Sequence, residues 1–290
     1  RLTEMAELHD AGCVAFSQSD KLLLGTRVMM QAMQYASTFN FRVWLRPEDD
    51  SIADSGVAHD GEVATRLGLP AIPVCAETIA LSKIVLIAKE TGAKVHLCRI
   101  SSAEGVAMVR AARQQGLPIT CDVAVNHMHL SEMDISFFDS NCHLIPPLRG
   151  ISDRDALRAG LVDGTIDAVC SDHAPVDEDA KLVPFGESEA GATCVELLLS
   201  LVLKWAKEIN IPLAVAVAKV TSEPAKILGV EAGNLSVGAA ADLCIFDPDQ
   251  HWRVEASMLR SQGKNTPFLG MELQGKVKYT LANGIIVYED

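Results

Sequence analysis

Several things are scarce or missing in this 290-residue chain, and each absence removes a class of answer. No two of its eight cysteines form a CxxC pair, so neither a zinc knuckle nor a dense disulfide framework is encoded. Scattered as they are, several in apolar strand-like runs, they read as small buried side chains of a reducing compartment. No apolar run approaches the roughly 18 residues that span a bilayer, and no leader peptide is visible. Basic residues are outnumbered, 25 against 38 acidic, for a formal charge of -13. Such a surface repels phosphate backbones and anionic lipid, which argues against nucleic acid and membrane partners. No GxGxxG follows the first strand, which weakens a dinucleotide-type fold. No GxSxG is present, and no cysteine has a readable base partner, which removes support for covalent hydrolysis.

What is present is an alternation. Residues 2–11, 22–35, 76–91, 103–115, 153–162, 196–209 and 213–228 carry helical periodicity, with Ser152 a plausible N-cap for the fifth. Between them lie short apolar strands at 13–16, 41–45, 94–100, 119–125 and 166–170. Strands that alternate with helices of ten or more residues imply parallel βα units, and strands apolar on both faces imply a sheet covered on both sides. A closed (β/α)₈ TIM barrel and an open doubly wound sheet both fit. The strand candidates that precede residue 228 fall short of the eight a barrel requires. Since the chain opens on Arg1 and enters a helical pattern at once, the expectation is a barrel truncated at its N-terminus, over residues 1–232. Residues 233–290 read as a small C-terminal β appendage, because Asn283-Gly284 between β-rich runs is a strong hairpin signal.

In a parallel barrel the chemistry sits where strands give way to loops. The polar residues there are Arg46, Glu48, Asp49 and Asp50 after one strand, and His96, Arg99, Ser101 and Ser102 around the next. Asn126, His127 and His129, then Ser171, Asp172 and His173, follow the later two. Asp172 could be a metal ligand or a general base, or could cap the next turn. His127 and His129 would share a face if they lay on a strand, which suits a metal, whereas in a loop they would be surface histidines. His9, His59 and His251 carry no functional expectation.

At these residues the chain resembles the dihydroorotases, a branch of the amidohydrolases. The resemblance rests on Pro146-Pro147-Leu148-Arg149, Asp153-Arg154-Asp155-Ala156-Leu157 and Asp163-Gly164-Thr165-Ile166-Asp167-Ala168. It rests also on Ser171-Asp172-His173-Ala174-Pro175, Ala76-Glu77-Thr78 and Thr221-Ser222-Glu223-Pro224-Ala225, with Gly238-Ala239-Ala240-Ala241-Asp242-Leu243 similar to amidohydrolases at large. It implies an amidohydrolase-type (β/α)₈ barrel holding one or two zinc ions, which activate water to interconvert dihydroorotate and carbamoyl aspartate.

The resemblance also implies a ligand set that this chain does not keep. The family's His-x-His strand has no counterpart in it. A motif that carries the bridging carboxylate is similar to Phe16-Ser17-Gln18-Ser19-Asp20, where that acid is lost or displaced. Two later histidine ligands correspond to Arg46 and Arg99, a substrate-holding asparagine to Ile145, and a substrate-contacting histidine to Val176; of these positions only Asp172 is kept. A guanidinium stays protonated and has no lone pair for a metal. The implied reading is therefore a barrel without metal or activity, with Arg46 and Arg99 both pairing with Asp172 in place of the metal's charge.

Dihydroorotase-like chains of that kind are inactive companions of aspartate carbamoyltransferase, needed for its assembly. The segments 126–130 and 134–139 resemble that branch more than the active one. The expectation is thus a cytoplasmic, non-catalytic partner subunit, itself open to homo-oligomerisation. One alternative is an active zinc enzyme with a relocated site at Asp172, His173, His127 and His129. Another is a metabolite-binding regulatory module that uses the old pocket.

Overall fold

The structure is a computed structural model that describes residues 2–18 and 25–290. Ser19 and Asp20 of the motif quoted above, and the first residues of the helix expected at 22–35, lie outside the described residues. The elements in chain order are α1 (Met5–Asp10), β1 (Phe16–Ser17), α2 (Thr26–Thr38), β2 (Arg42–Leu45), α3 (Asp50–Ala53), β3 (Ala58–His59) and α4 (Glu62–Leu67). Next come β4 (Ala71–Ile72), α5 (Cys75–Thr91), β5 (Lys94–Leu97), α6 (Ala103–Gln114), β6 (Ile119–Ala124), α7 (Ile151–Val162) and β7 (Ala168–Cys170). The chain ends with α8 (Leu198–Glu208), α9 (Leu213–Ala218), α10 (Ser222–Leu228), β8 (Leu243–Arg253), β9 (Glu272–Ala282) and β10 (Ile285–Glu289).

The main sheet is parallel, with order β1-β2-β5-β6-β7. That order never reverses, so the sheet has no switch point of the doubly wound kind; it grows in one direction, as barrel strands do. The strands are short and interleaved with helices because each must lie between two covered faces. Val43, Leu45, Val95 and Leu97 from the strands meet Met33, Leu81, Ile84 and Val109 from the helices in one apolar core. The pair β3–β4 falls in a region to which the sequence pattern assigns no element: two residues on each strand leave too short an alternation to register.

Several expected elements shift. The helix expected over 213–228 is two helices, because the turn at 219–221 breaks the run. Helix α7 opens on Gly150 rather than Ser152: the Asp153 carboxylate accepts the Gly150 N–H at 3.1 Å and also the Ala103 N–H at 2.8 Å. A carboxylate that bonds two backbone donors outcompetes a hydroxyl at that end. Only Cys121, Cys142 and Cys194 are buried; Cys13, Cys75 and Cys244 are exposed, so burial of the whole set is corrected.

Strands β8, β9 and β10 form an antiparallel sheet whose last turn is Asn283-Gly284, both at positive φ. Two left-handed residues are what a tight hairpin turn requires. Helix α8 lies against β9: the Ser200 hydroxyl donates to the Gly275 carbonyl at 2.6 Å, and Trp252 Nε1 donates to the same carbonyl at 3.2 Å. Among the described residues no helix is long and apolar enough to cross a membrane.

Candidate active site and its family

The C-terminal ends of β2, β5, β6 and β7 lie side by side, so Arg46, Arg99, His127 and Asp172 gather at one mouth. Arg99 and Asp172 are both non-glycine residues at positive φ, 58° and 46°. Such strain persists where surrounding contacts hold it, and it collects at functional sites. Here the contact is between the two: Arg99 Nη1 lies 2.6 Å from Asp172 Oδ1, with side-chain exposures of 24% and 14%. The same nitrogen donates to the Ile145 carbonyl at 3.3 Å. Burial alone would lower the Arg99 guanidinium, but the charge and hydrogen bond of Asp172 outweigh it and the net shift is upward.

Arg46 does not join this pair. Its Nη2 lies 3.5 Å from Glu48 Oε1, two residues along its own chain, so the expectation that both arginines would meet Asp172 is corrected. A local carboxylate on the same loop is reached at less conformational cost than one across the mouth.

Beneath the mouth is a second cluster. His96 Nε2 lies 2.9 Å from Asp122 Oδ2, and His96 Nδ1 lies 2.9 Å from the Thr120 hydroxyl. Asp122 Oδ1 accepts the Arg99 N–H at 2.8 Å and the Cys170 thiol at 3.4 Å. Burial, then the Asp122 charge, pushes the Cys98 thiol up to about 12. Asp122 was missed in the sequence, although a carboxylate inside the run Ile119–Ala124 was a signal: a buried charge must be paired.

The histidines answer differently from expectation. His127 is 2% exposed and His129 is only partly exposed, so the surface reading fails. His127 Nε2 sits 3.1 and 3.2 Å from the Pro146 and Pro147 carbonyls, which fixes the proton on Nε2 and leaves buried Nδ1 without a partner among the described residues. Burial lowers its pKa. His129 Nε2 donates to the Leu201 carbonyl at 2.9 Å, and burial brings its pKa down to about 4. His173 Nδ1 accepts the Cys194 and Val195 N–H groups at 3.2 and 3.3 Å. Its ring lines a cleft of about 680 Å³ between the start of α8 and the C-terminal sheet. The alternative set Asp172, His173, His127 and His129 is therefore not gathered around one point.

Ile145 offers only its carbonyl, to Arg99. Val176 is 5% exposed and its side chain turns inward; its N–H goes to Asn265 Oδ1 at 3.0 Å. Asn265 also donates to the Ala174 and Gly191 carbonyls at 3.2 and 3.1 Å, holding the loop after Asp172. No motif marked Asn265, since it reaches this loop from a distant part of the chain.

The amidohydrolase family profile matches residues 22–287. The chain belongs to the amidohydrolase family. Within it the chain is 41% identical over 288 residues to a dihydroorotase-like protein of Pseudomonas putida, covering 99% of this chain and 68% of that one. It is 40% identical over 288 residues to a dihydroorotase of Citrifermentans bemidjiense, with the same coverages. Among solved structures, an L-hydantoinase from Arthrobacter aurescens superposes with a TM-score of 0.86 at 24% identity, over 99% of this chain and 67% of that one. The fold of this amidohydrolase-family chain is thus the TIM barrel of that family, with an antiparallel sheet at its C-terminal end.

A catalytic zinc centre of this family needs histidine nitrogens and carboxylate oxygens with free lone pairs. The described residues of this amidohydrolase relative do not supply that set at the mouth, where His127 Nδ1 is a single unpartnered nitrogen. Arg46 and Arg99 have none to give, and Asp172 is held by Arg99. Among the described residues, His96, Cys98 and Asp122 form a group whose ligand atoms lie within 4.8 Å of one another. In it the imidazole and carboxylate bond each other at 2.9 Å and burial raises the thiol, so the group is closed on itself by its own hydrogen bonds.

Proposed function

We propose that this chain is a catalytically silent dihydroorotase-like subunit of pyrimidine biosynthesis, which serves as a structural partner of aspartate carbamoyltransferase and works without zinc. The observation that carries the reading is the 2.6 Å contact between Arg99 and Asp172. It puts a permanent cation against the carboxylate that, by resemblance, would grip the metal. Isoleucine and valine at 145 and 176 add no donor for a substrate carboxylate or amide. The chain spans about two thirds of the length of the relatives it matches, so the test belongs on the natural protein.

Two measurements decide. Elemental analysis of chelator-free protein should give zinc far below one equivalent, with no dihydroorotate turnover. Affinity purification should bring down the carbamoyltransferase of the same cell. The competing reading, an active zinc-dependent dihydroorotase, draws on the relatives of that name at 40% identity. Stoichiometric zinc together with turnover would establish it in place of the proposal.

A further inference from the structure

The loops that follow β6 and β7 at the barrel mouth carry large apolar side chains into solvent. Phe137 is 91% exposed and Phe138 45%, with Met133 at 49% beside them; on the other loop Leu182 is 74% exposed and Val183 40%. The loops are joined: the Ser140 hydroxyl donates to the Lys181 carbonyl at 2.6 Å, and Lys181 Nζ donates back to the Ser140 carbonyl at 2.9 Å. Ile135, Cys142 and Phe185 are buried beneath, and the Phe185 ring stacks on His143 at 5.1 Å. The apolar tips thus stand on an anchored base. Phe138 holds its ring out at a φ of 61°, a conformation that a glycine would adopt without strain.

The exposed charges of the two loops are of one sign. Residues 131–143 carry three carboxylates and no lysine or arginine. Residues 176–190 carry five carboxylates and one lysine, Lys181, which is buried with its ammonium on backbone carbonyls. Asp139, Glu178 and Asp179 are among those open to solvent. Anionic lipid and nucleic acid are repelled by such a rim, and a second copy would bring the same charge against itself. Exposed phenylalanines on a firm base with a charged rim are the make-up of a protein-binding hot spot.

We propose that these two loops form a docking surface for a protein partner that offers an apolar recess rimmed by lysine and arginine. Resting on the reading under Proposed function, it places the contact with the carbamoyltransferase at the mouth, over the Arg99–Asp172 pair. The experiment measures affinity of the full chain for the carbamoyltransferase of the same cell. Phe137→Ser with Phe138→Ser should raise Kd roughly 30-fold or more, at an unchanged melting temperature. Leu182→Ser, a milder change, should move Kd the same way. Glu178→Lys with Asp179→Lys should weaken binding too, and added salt should weaken the unaltered protein. Leu235→Ser with Val237→Ser, exposed apolar positions near the C-terminal sheet, should leave Kd alone. Tight binding that survives the phenylalanine changes overturns the docking surface while leaving the partner role intact. Failure of the unaltered chain to bind overturns both. A homodimer abolished by the same changes assigns the surface to a second copy and overturns the choice of partner.

Discussion

Arg99 shows how one side chain redirects a site. Guanidinium and carboxylate at 2.6 Å, both shielded from water, form a pair in which each desolvated charge depends on the other. Asp172→Ala leaves the Arg99 cation uncompensated and should cost about 3 kcal/mol, read as a lower urea midpoint at unchanged slope. Arg99→Met with Asp172→Leu, which removes both charges, should recover most of that loss. A second prediction comes from His129, whose pKa falls to about 4 when folded, against an ordinary value of 6.5. The unfolded chain then takes the proton first. Stability from this group is complete above pH 6.5, declines as pH falls from 6.5 to 4, and levels off below. The loss is on the order of 3 kcal/mol. His129→Gln, which can still donate to the Leu201 carbonyl, should flatten that part of the pH profile in chemical denaturation. That both arginines stand in for histidines is what the resemblance to the dihydroorotases implies, but which of them meets Asp172 was not legible in the sequence. That depends on reach across the mouth, and Glu48 lies nearer to Arg46.

At the scale of elements, the contacts between neighbouring βα units rest on buried carboxylates. Glu77 at the start of α5 is 3% exposed and accepts four hydrogen bonds, from the N–H and hydroxyl groups of Ser101 and Ser102 ahead of α6. Arg149, also buried, donates Nε to the Ser101 hydroxyl at 3.2 Å and Nη1 to the Ile72 carbonyl at 2.6 Å, which ties β4 into the same network. A Cβ on Gly105 would lie 2.1 Å from Glu77 Oε1, so Gly105→Ala should cost about 2 kcal/mol or more and lower the melting temperature. The sequence showed Glu77 and Arg149 only as parts of motifs. Their meeting through Ser101 needs three segments brought together, and no local pattern encodes that. Strands and helices were legible because a strand buried on both faces must be apolar throughout and a helix must keep its 3.6-residue period. Their ends were less so, as at Gly150, where Asp153 decides the cap.

Over the whole molecule, α8 is the element that couples the barrel to the C-terminal sheet. Gly275 sits at φ 89°, and a Cβ there would come 2.3 Å from Leu203 Cδ1. Gly275→Ala should therefore lever β9 away from α8, cost about 2–3 kcal/mol, and split one thermal transition into two. Circular dichroism in the far and near ultraviolet, with Trp252 as the local reporter, would separate the steps. The parallel alternation of strands and helices, the final hairpin and the absence of a metal-binding lone pair on Arg46 and Arg99 were all determined by the sequence alone. Each of these follows from periodicity, turn stereochemistry or the chemistry of a single side chain. Tertiary structure alone decided that Asp172 takes Arg99 as its partner and Arg46 turns to Glu48. It also decided that His127 and His129 are buried against separate backbone carbonyls, and that the apolar tips of two loops stand together at the mouth. Those outcomes depend on distances between residues far apart in the chain, which are fixed only when the strands line up and the core closes around them.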